Sequence, residues 1–267
     1  MLALLGPDTP LPDPEQALRE PNGLLAAGLD LSAERLLEAY RRGIFPWYTV
    51  GQPVLWWSPD PRMVLALDRL HLSHSLRKTL RARQRDQRWH VTLDACFERV
   101  MQECAAARTR PLRAAAGAAG AAVEAEAVQT EAAAPASPPA ASDDTWITAD
   151  IRRAYSALHR LGTAHSVEVW NGPRLVGGLY GVSIGRMFFG ESMFARETDA
   201  SKTALVALVQ VLRRHGFCMI DCQQKTRHLA SLGAHEMSRK AFLKQVDELA
   251  ARSAPDWRAM QIGLPHA

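Results

Sequence analysis

Cysteine is scarce, with four in 267 residues at positions 96, 104, 218 and 222. That density excludes the disulfide scaffold of a small secreted protein, so a reducing cytoplasm is expected. No stretch approaches the roughly 18–20 uninterrupted apolar residues of a membrane span. The opening MLALLGPDTPLPDP has no basic leader region and runs at once into prolines, so neither a secretory signal nor an anchor is expected. An excess of one charge is missing too. Thirty-two Lys and Arg face 28 Asp and Glu, a net +4 that argues for no polyanionic partner by itself. Large apolar side chains are nearly absent from residues 105–142, a tract dominated by alanine and, later, by Pro135, Pro138 and Pro139. Alanine favours helix, but this tract has no apolar face to dock and its prolines bar helix in the second half. A disordered or weakly helical insertion over 105–144 is the expectation.

Nucleotide-binding signatures are also lacking. Gly177, Gly178, Gly181 and Gly185 fall inside segments that read as strands, not between a strand and a helix, and no Walker-type lysine loop occurs. These glycines read as sites of close backbone approach or bulges. His215, Cys218, Cys222 and His228 are zinc-ligand types. On a strand, however, the two cysteines would lie roughly 13 Å apart at about 3.3 Å per residue, too far for one tetrahedral ion. No metal is expected.

What is present is unevenly distributed. Aromatics are only 7% of the chain, yet Tyr40, Phe45, Trp47, Trp56 and Trp57 crowd a proline-punctuated stretch. Next to it, Arg69, Arg77, Lys78, Arg81, Arg83, Arg85 and Arg88 face a single acid, Asp86, while Leu72, Leu76 and Leu80 recur every four residues. This reads as an amphipathic helix over 69–88 with a cationic outer face. Aromatics beside arginines suit stacking on unpaired bases with phosphates held alongside; a tryptophan-rich interface beside a solvated helix is the plain alternative. Ser32 reads as the N-cap of a short helix ending at Gly43, after an extended lead-in over 1–22. A second helix is expected at 92–105 and a third from Thr145 to Gly162.

Beyond the insertion, SVEVW alternates as a strand, Asn171-Gly172 marks a hairpin, and strands are expected at 175–183 and 187–189. A helix at 201–215, a buried strand at 217–221 and a helix at 239–251 complete an αβββαβα order, a meander with helices packed on it. Two carboxylates stand out. Asp221 sits at the end of a buried strand, where loops open into clefts, although such an Asp is often a simple turn former. Glu191 follows Met187-Phe188-Phe189 at the lip of an apolar wall, able to hold a cation or accept a proton, with a solvated turn acid as the alternative.

The blocks REPNGLLAAGLDLSAERLLEAYRRGIFPWY, LWWSPDPRMVL, TWIT, HSVEVW, LVGGLYGV, FFGESMF, ASKTAL, IDCQ and SLGA, in this order, resemble the leucyl/phenylalanyl-tRNA–protein transferases. The resemblance implies an α+β chain with a small N-terminal domain (1–66) and an acetyltransferase-like catalytic domain (67–104 and 145–255) with a mostly antiparallel sheet, the alanine-rich tract being the insertion. It implies a cytoplasmic, monomeric aminoacyltransferase without a cofactor. Such an enzyme moves leucine, phenylalanine or methionine from aminoacyl-tRNA to an N-terminal Arg or Lys, generating an N-degron. By the same resemblance Asp221, Gln223 and Glu191 are catalytic and engage the acceptor amine. Leu179, Phe188, Leu205, Leu208, Leu212 and Ile220 form the side-chain pocket, and Tyr40, Trp47 and Trp146 frame the terminal adenosine and ester. Arg77, Lys78, Arg81, Arg83 and Arg85 meet the acceptor stem. A related transferase acting on another amine, such as a cell-wall peptide, is the alternative, and would be expected to lack a counterpart of Glu191.

Overall fold

Two hydroxyl caps start the helices that frame the molecule. Ser32 accepts from the Arg35 N–H and Thr148 from the Ile151 N–H, satisfying amide groups that a helix start leaves open. The computed structural model describes residues 2–6, 8–109 and 145–266, with the side chains of 107–109 excepted. The expectation for the 105–144 insertion lies outside the described residues from 110 onward, while 105–109 complete a helix.

The first unit runs β1 (Ala3–Leu5), β2 (Leu24–Gly28), α1 (Ala33–Arg41), β3 (Phe45–Pro46) and β4 (Val54–Trp57), and its four strands form a sheet in the order β1-β2-β4-β3. The lead-in over 1–22 is therefore not wholly extended coil, because Ala3–Leu5 pairs in parallel with β2. The second unit follows with β5 (Arg62–Ala66), α2 (His74–Arg85), β6 (Trp89–Leu93), α3 (Phe97–Thr109) and α4 (Ala149–Arg160). It continues with β7 (Ala164–Asn171), β8 (Arg174–Ile184), β9 (Met187–Ala195), α5 (Ala200–Arg214), β10 (Met219–Gln223), α6 (Arg227–Ser231), β11 (His235–Met237) and α7 (Arg239–Ala250). The seven strands make one sheet in the order β11-β5-β10-β9-β8-β7-β6. The chain is thus mixed α+β, as expected.

Several boundaries move. Arg62–Ala66 falls on the N-terminal side of a division at 66, yet it pairs with β10 and β11 inside the larger sheet. The cationic helix spans 74–85, not 69–88, because Ser73 caps it and Asp86 leaves the helical region. No helix begins at 92. Residues 89–93 are a strand paired with β7, which the apolar spacing of the following helix obscured. The strand expected at 187–189 runs on to Ala195, paired with β8 on both sides of a register shift at Glu191.

Neighbouring strands of the large sheet are antiparallel except β9 and β10, which α5 joins by a crossover. This order is a meander followed by a crossover helix and a parallel strand. Each sheet face carries a core. On one, α5 and α2 bury Leu76, Leu80, Leu205, Leu208 and Leu212. On the other, α1, α3, α4, α7 and the small sheet share a core that includes Leu36, Trp56, Phe97, Tyr155, Tyr180 and Phe242.

Candidate functional site

The parallel pairing of β9 and β10 is brief. Phe188 opposes Ile220 and Phe189 opposes Asp221, and there it stops. Past that point β9 stays with β8, while β10 shifts register against β5 between Asp221 and Gln223, and Gln223 takes a left-handed backbone with φ +58°. The strands separate and leave a gap in the middle of the sheet.

A pocket of about 120 Å³ passes through this gap. Cavities of about 150 Å³ lined by Leu, Ile and Phe take up a benzene ring, so this one suits a leucine- or phenylalanine-sized group. Leu179, Phe188, Leu205, Leu208 and Ile220 line its inner end, all from the core that α5 covers. Phe45, Trp47 and Trp146 line it on the other face of the sheet. Leu212 does not reach the pocket. It sits one helical turn beyond Leu208 and is fully buried in the core.

Two carboxylates flank the gap in contrasting surroundings. Asp221 is 0% exposed and paired with Arg62, also 0% exposed, through Nε to Oδ1 at 2.8 Å and Nη2 to Oδ2 at 2.7 Å. The Arg62 guanidinium lies between the Phe45 and Phe242 rings, 4.6 Å from each centroid, so cation–π attraction and a two-point ion pair hold it together. Asp221 Oδ1 also accepts the Gln223 N–H at 2.9 Å. Asp221 therefore stands behind the pocket wall, where it fixes the turn that aims Gln223. Gln223 does line the pocket, and its Nε2 is buried with no hydrogen-bond partner among the described residues.

Glu191 lines the pocket and is partly exposed at its lip. Its carboxylate accepts from Tyr40 at 2.6 Å and from Tyr155 at 3.1 Å, and the two tyrosine hydroxyls also touch each other. Burial pushes its pKa up to about 7; the two tyrosine bonds oppose that, Asp221 adds to it and Arg62 opposes it. Burial and the Glu191 charge raise both tyrosines well above their ordinary value, which keeps them protonated donors. Tyr40 thus does not frame the pocket as expected; its hydroxyl is spent on Glu191 and Tyr155, and its ring packs on Phe189.

On α2, Arg77, Lys78, Arg81 and Arg85 are exposed, but Arg83 is buried. Its guanidinium lies 3.9 Å over Trp89, donates to the Asp199 carbonyl at 3.1 Å and contacts Thr203 and the Thr198 carbonyl. Burial lowers its pKa to about 10 against the pull of Asp199 and Glu197. Arg83 ties α2 to the start of α5 and is buried away from the exposed cationic face.

Arg62 and Tyr155 were not singled out from the sequence. Arg62 opens the apolar run Met63-Val64-Leu65 and reads as an exposed strand end, because its partner lies 159 residues away. Tyr155 sits at an apolar position of an amphipathic helix and reads as core; only the register of β9 brings Glu191 to its hydroxyl.

An apolar pocket threaded through a strand gap, with a carboxylate and an unpartnered amide at it, is the arrangement of a ligand-binding or catalytic cleft. Comparison with known proteins narrows this. The family described as leucyl/phenylalanyl-tRNA protein transferase matches residues 64–114 and 123–247, and its N-terminal domain matches 29–60. A leucyl/phenylalanyl-tRNA–protein transferase of Bordetella avium is 52% identical over 256 residues, 94% of this chain and 90% of that one. That of Paraburkholderia xenovorans is 54% identical over 249 residues, 92% and 89% of the two chains. The chain belongs to the leucyl/phenylalanyl-tRNA protein transferase family, and it is an aminoacyltransferase. Among solved structures, the C-terminal domain of a putative lysylphosphatidylglycerol synthetase from Agrobacterium fabrum aligns with TM-score 0.34 and 13% identity over 84% of this chain and 58% of that one, a likeness too slight to bear on the reaction. No helix among the described residues is long and apolar enough to cross a membrane.

Proposed function

We propose that this protein transfers leucine, phenylalanine or methionine from aminoacyl-tRNA to the N-terminal Arg or Lys of acceptor proteins, generating an N-degron. The donor is already an activated ester, so catalysis is chiefly a matter of placement. The amino-acid side chain enters the apolar end of the pocket, against Leu179, Phe188, Leu205, Leu208 and Ile220. Trp47 and Trp146 frame the terminal adenosine on the opposite face of the sheet, which leaves the ester carbonyl in the gap beside Gln223. The acceptor α-amine, of which a useful fraction is neutral at pH 7–8, attacks that carbonyl carbon. The bond to the ribose oxygen breaks, and the amine proton passes to that oxygen as the hydroxyl leaves.

Gln223 orients the amine with its unpartnered amide, Asp221 holds the Gln223 turn, and Glu191 meets the cationic side chain of the acceptor. Arg77, Lys78, Arg81 and Arg85 bind acceptor-stem phosphates, a contact that weakens as salt rises. Cys96, Cys218 and Cys222 are free thiols, in keeping with a cytoplasmic enzyme. The observation that carries the reading is Glu191, a carboxylate at the lip of a pocket sized for leucine or phenylalanine. The test is transfer of labelled leucine from Leu-tRNA to otherwise identical proteins starting with Arg, Lys or Ala. Labelling of the first two and not the third is expected; labelling of none, with transfer to some other amine, would overturn the reading.

A further inference from the structure

Phe188 forms part of the pocket's apolar end, and its position is set from outside the pocket. Its ring lies against Gly181, where an added Cβ would collide with the ring and with the Phe189 carbonyl oxygen. It also packs on Trp257, with centroids 5.9 Å apart and the planes tilted by 39°. Trp257 belongs to the C-terminal segment, beyond residue 247 where the family match ends.

The indole is firmly seated. It is 6% exposed and stacks on His165 at 3.9 Å with the planes 11° apart, while Phe217 packs edge-on at 6.2 Å. His165 is itself gripped at both ring nitrogens, with Nδ1 2.7 Å from Asp94 Oδ2 and Nε2 3.1 Å from the Gly162 carbonyl oxygen. The segment is tied down by Arg214, which donates to the Gln261 carbonyl at 2.9 Å. Gln210 donates to the His266 carbonyl at 2.8 Å, and Gln84 to the Pro265 carbonyl at 2.9 Å. The indole Nε1 has no hydrogen-bond partner among the described residues, so packing and not a polar anchor places the ring.

We propose that Trp257 is a positioning residue that sets the depth of the side-chain pocket, and with it the preference between leucine and phenylalanine, by bracing Phe188 from behind. The inference rests on the transfer reading above. Protein interiors are close-packed, and a truncated side chain leaves a void into which neighbours only partly relax. With the indole removed, Phe188 settles toward the space it occupied and the pocket deepens. A deeper pocket leaves leucine loosely held and admits an aromatic ring more readily.

The test is the ratio of kcat/KM for Phe-tRNA to that for Leu-tRNA, measured on one preparation with one Arg-starting acceptor, so that any loss of folded enzyme cancels. Trp257→Ala is compared with the milder Trp257→Leu, and with Gln210→Ala, which loosens the segment at His266 without altering the indole. Trp257→Ala is expected to raise the ratio about tenfold, the scale of a methylene-sized change in an apolar pocket, with a smaller rise for Trp257→Leu and none for Gln210→Ala. A ratio within about twofold of the parent in both Trp257 variants, or an equal rise in Gln210→Ala, overturns the proposal, since either falls outside what a changed pocket depth produces. Failure of the unaltered protein to transfer either amino acid would instead sink the transfer reading itself.

Discussion

Asp221 and Glu191 stand on opposite sides of one gap and are acids of the same kind, yet the fold gives them opposite electrostatic roles. Asp221 meets a guanidinium at two points and has no exposure, so its charge is matched before any substrate arrives. Glu191 meets only neutral hydroxyls, which donate hydrogen bonds without supplying a positive charge, and its pKa stands at about 7. A carboxylate whose charge is already met organises the protein. One held directly by neutral donors leaves its charge to be matched by a visitor.

The largest effect expected from breaking this contrast is Arg62→Met, which leaves Asp221 buried without its partner. Removing one member of a buried pair costs about 3–5 kcal/mol, measurable by chemical denaturation, and transfer should fall with it. The double variant Arg62→Met with Asp221→Leu should regain most of that stability, because an apolar pair of similar volume is often neutral, while transfer stays low because the Gln223 turn is no longer held. Recovered transfer in the double variant would show that the pair serves folding alone.

Glu191→Gln comes next. It should raise KM for Arg-starting acceptors about tenfold, the loss of roughly 1.4 kcal/mol, with little change for donor tRNA. The pH dependence follows from the raised pKa. Glu191 binds its proton more tightly in the folded than in the unfolded chain, so its contribution to stability is full below the ordinary carboxylate value of 4.5 and is lost as pH rises through about 7. Glu191→Gln should therefore gain in melting temperature on the parent between about pH 5 and pH 8. In the parent, use of Arg-starting acceptors should rise through pH 7 as the carboxylate ionises; the variant should keep only the limb near pH 8 that belongs to the α-amine. Identical pH profiles would remove Glu191 from acceptor binding. The smallest effect is Tyr155→Phe, which deletes one of two bonds that lower the Glu191 pKa. The lower limb should move up by about half a unit, while the rate at pH 8 changes by no more than about twofold.

Features that rest on local chemistry could be read from the residues. Ser32 caps its helix, Asn171-Gly172 turns a hairpin with Gly172 at φ +58°, and the run through Glu191 falls on a pocket lip. The five side chains at the pocket's inner end were implied by the family resemblance and not by local spacing. Features that rest on pairing across the chain could not. The strand at 89–93 has too few residues to show a period against the helices around it, and Arg62 gains its meaning only from Asp221. Arg83 illustrates the opposite error. Its sequence neighbourhood is cationic and solvent-facing, but one position in the helical period points inward, where Trp89 and the start of α5 receive it. Tyr40 likewise sits among exposed-looking aromatics and is drawn inward by a hydrogen bond to another part of the chain.

The core shared by the small sheet and the large one has a further consequence. Trp146 packs into the same cluster as Tyr40, Phe45, Trp56, Tyr155 and Phe242, with Trp47 against its edge, so both walls of the side proposed for the adenosine belong to a continuous interior and not to a hinged lid. A wall of that kind is in place before the ligand arrives. The 3′ end of a charged tRNA, which is itself single-stranded and mobile, then supplies most of the ordering on binding, and the protein contributes little entropy loss of its own. The rigidity that lets the enzyme select by shape is thus paired with a flexible donor.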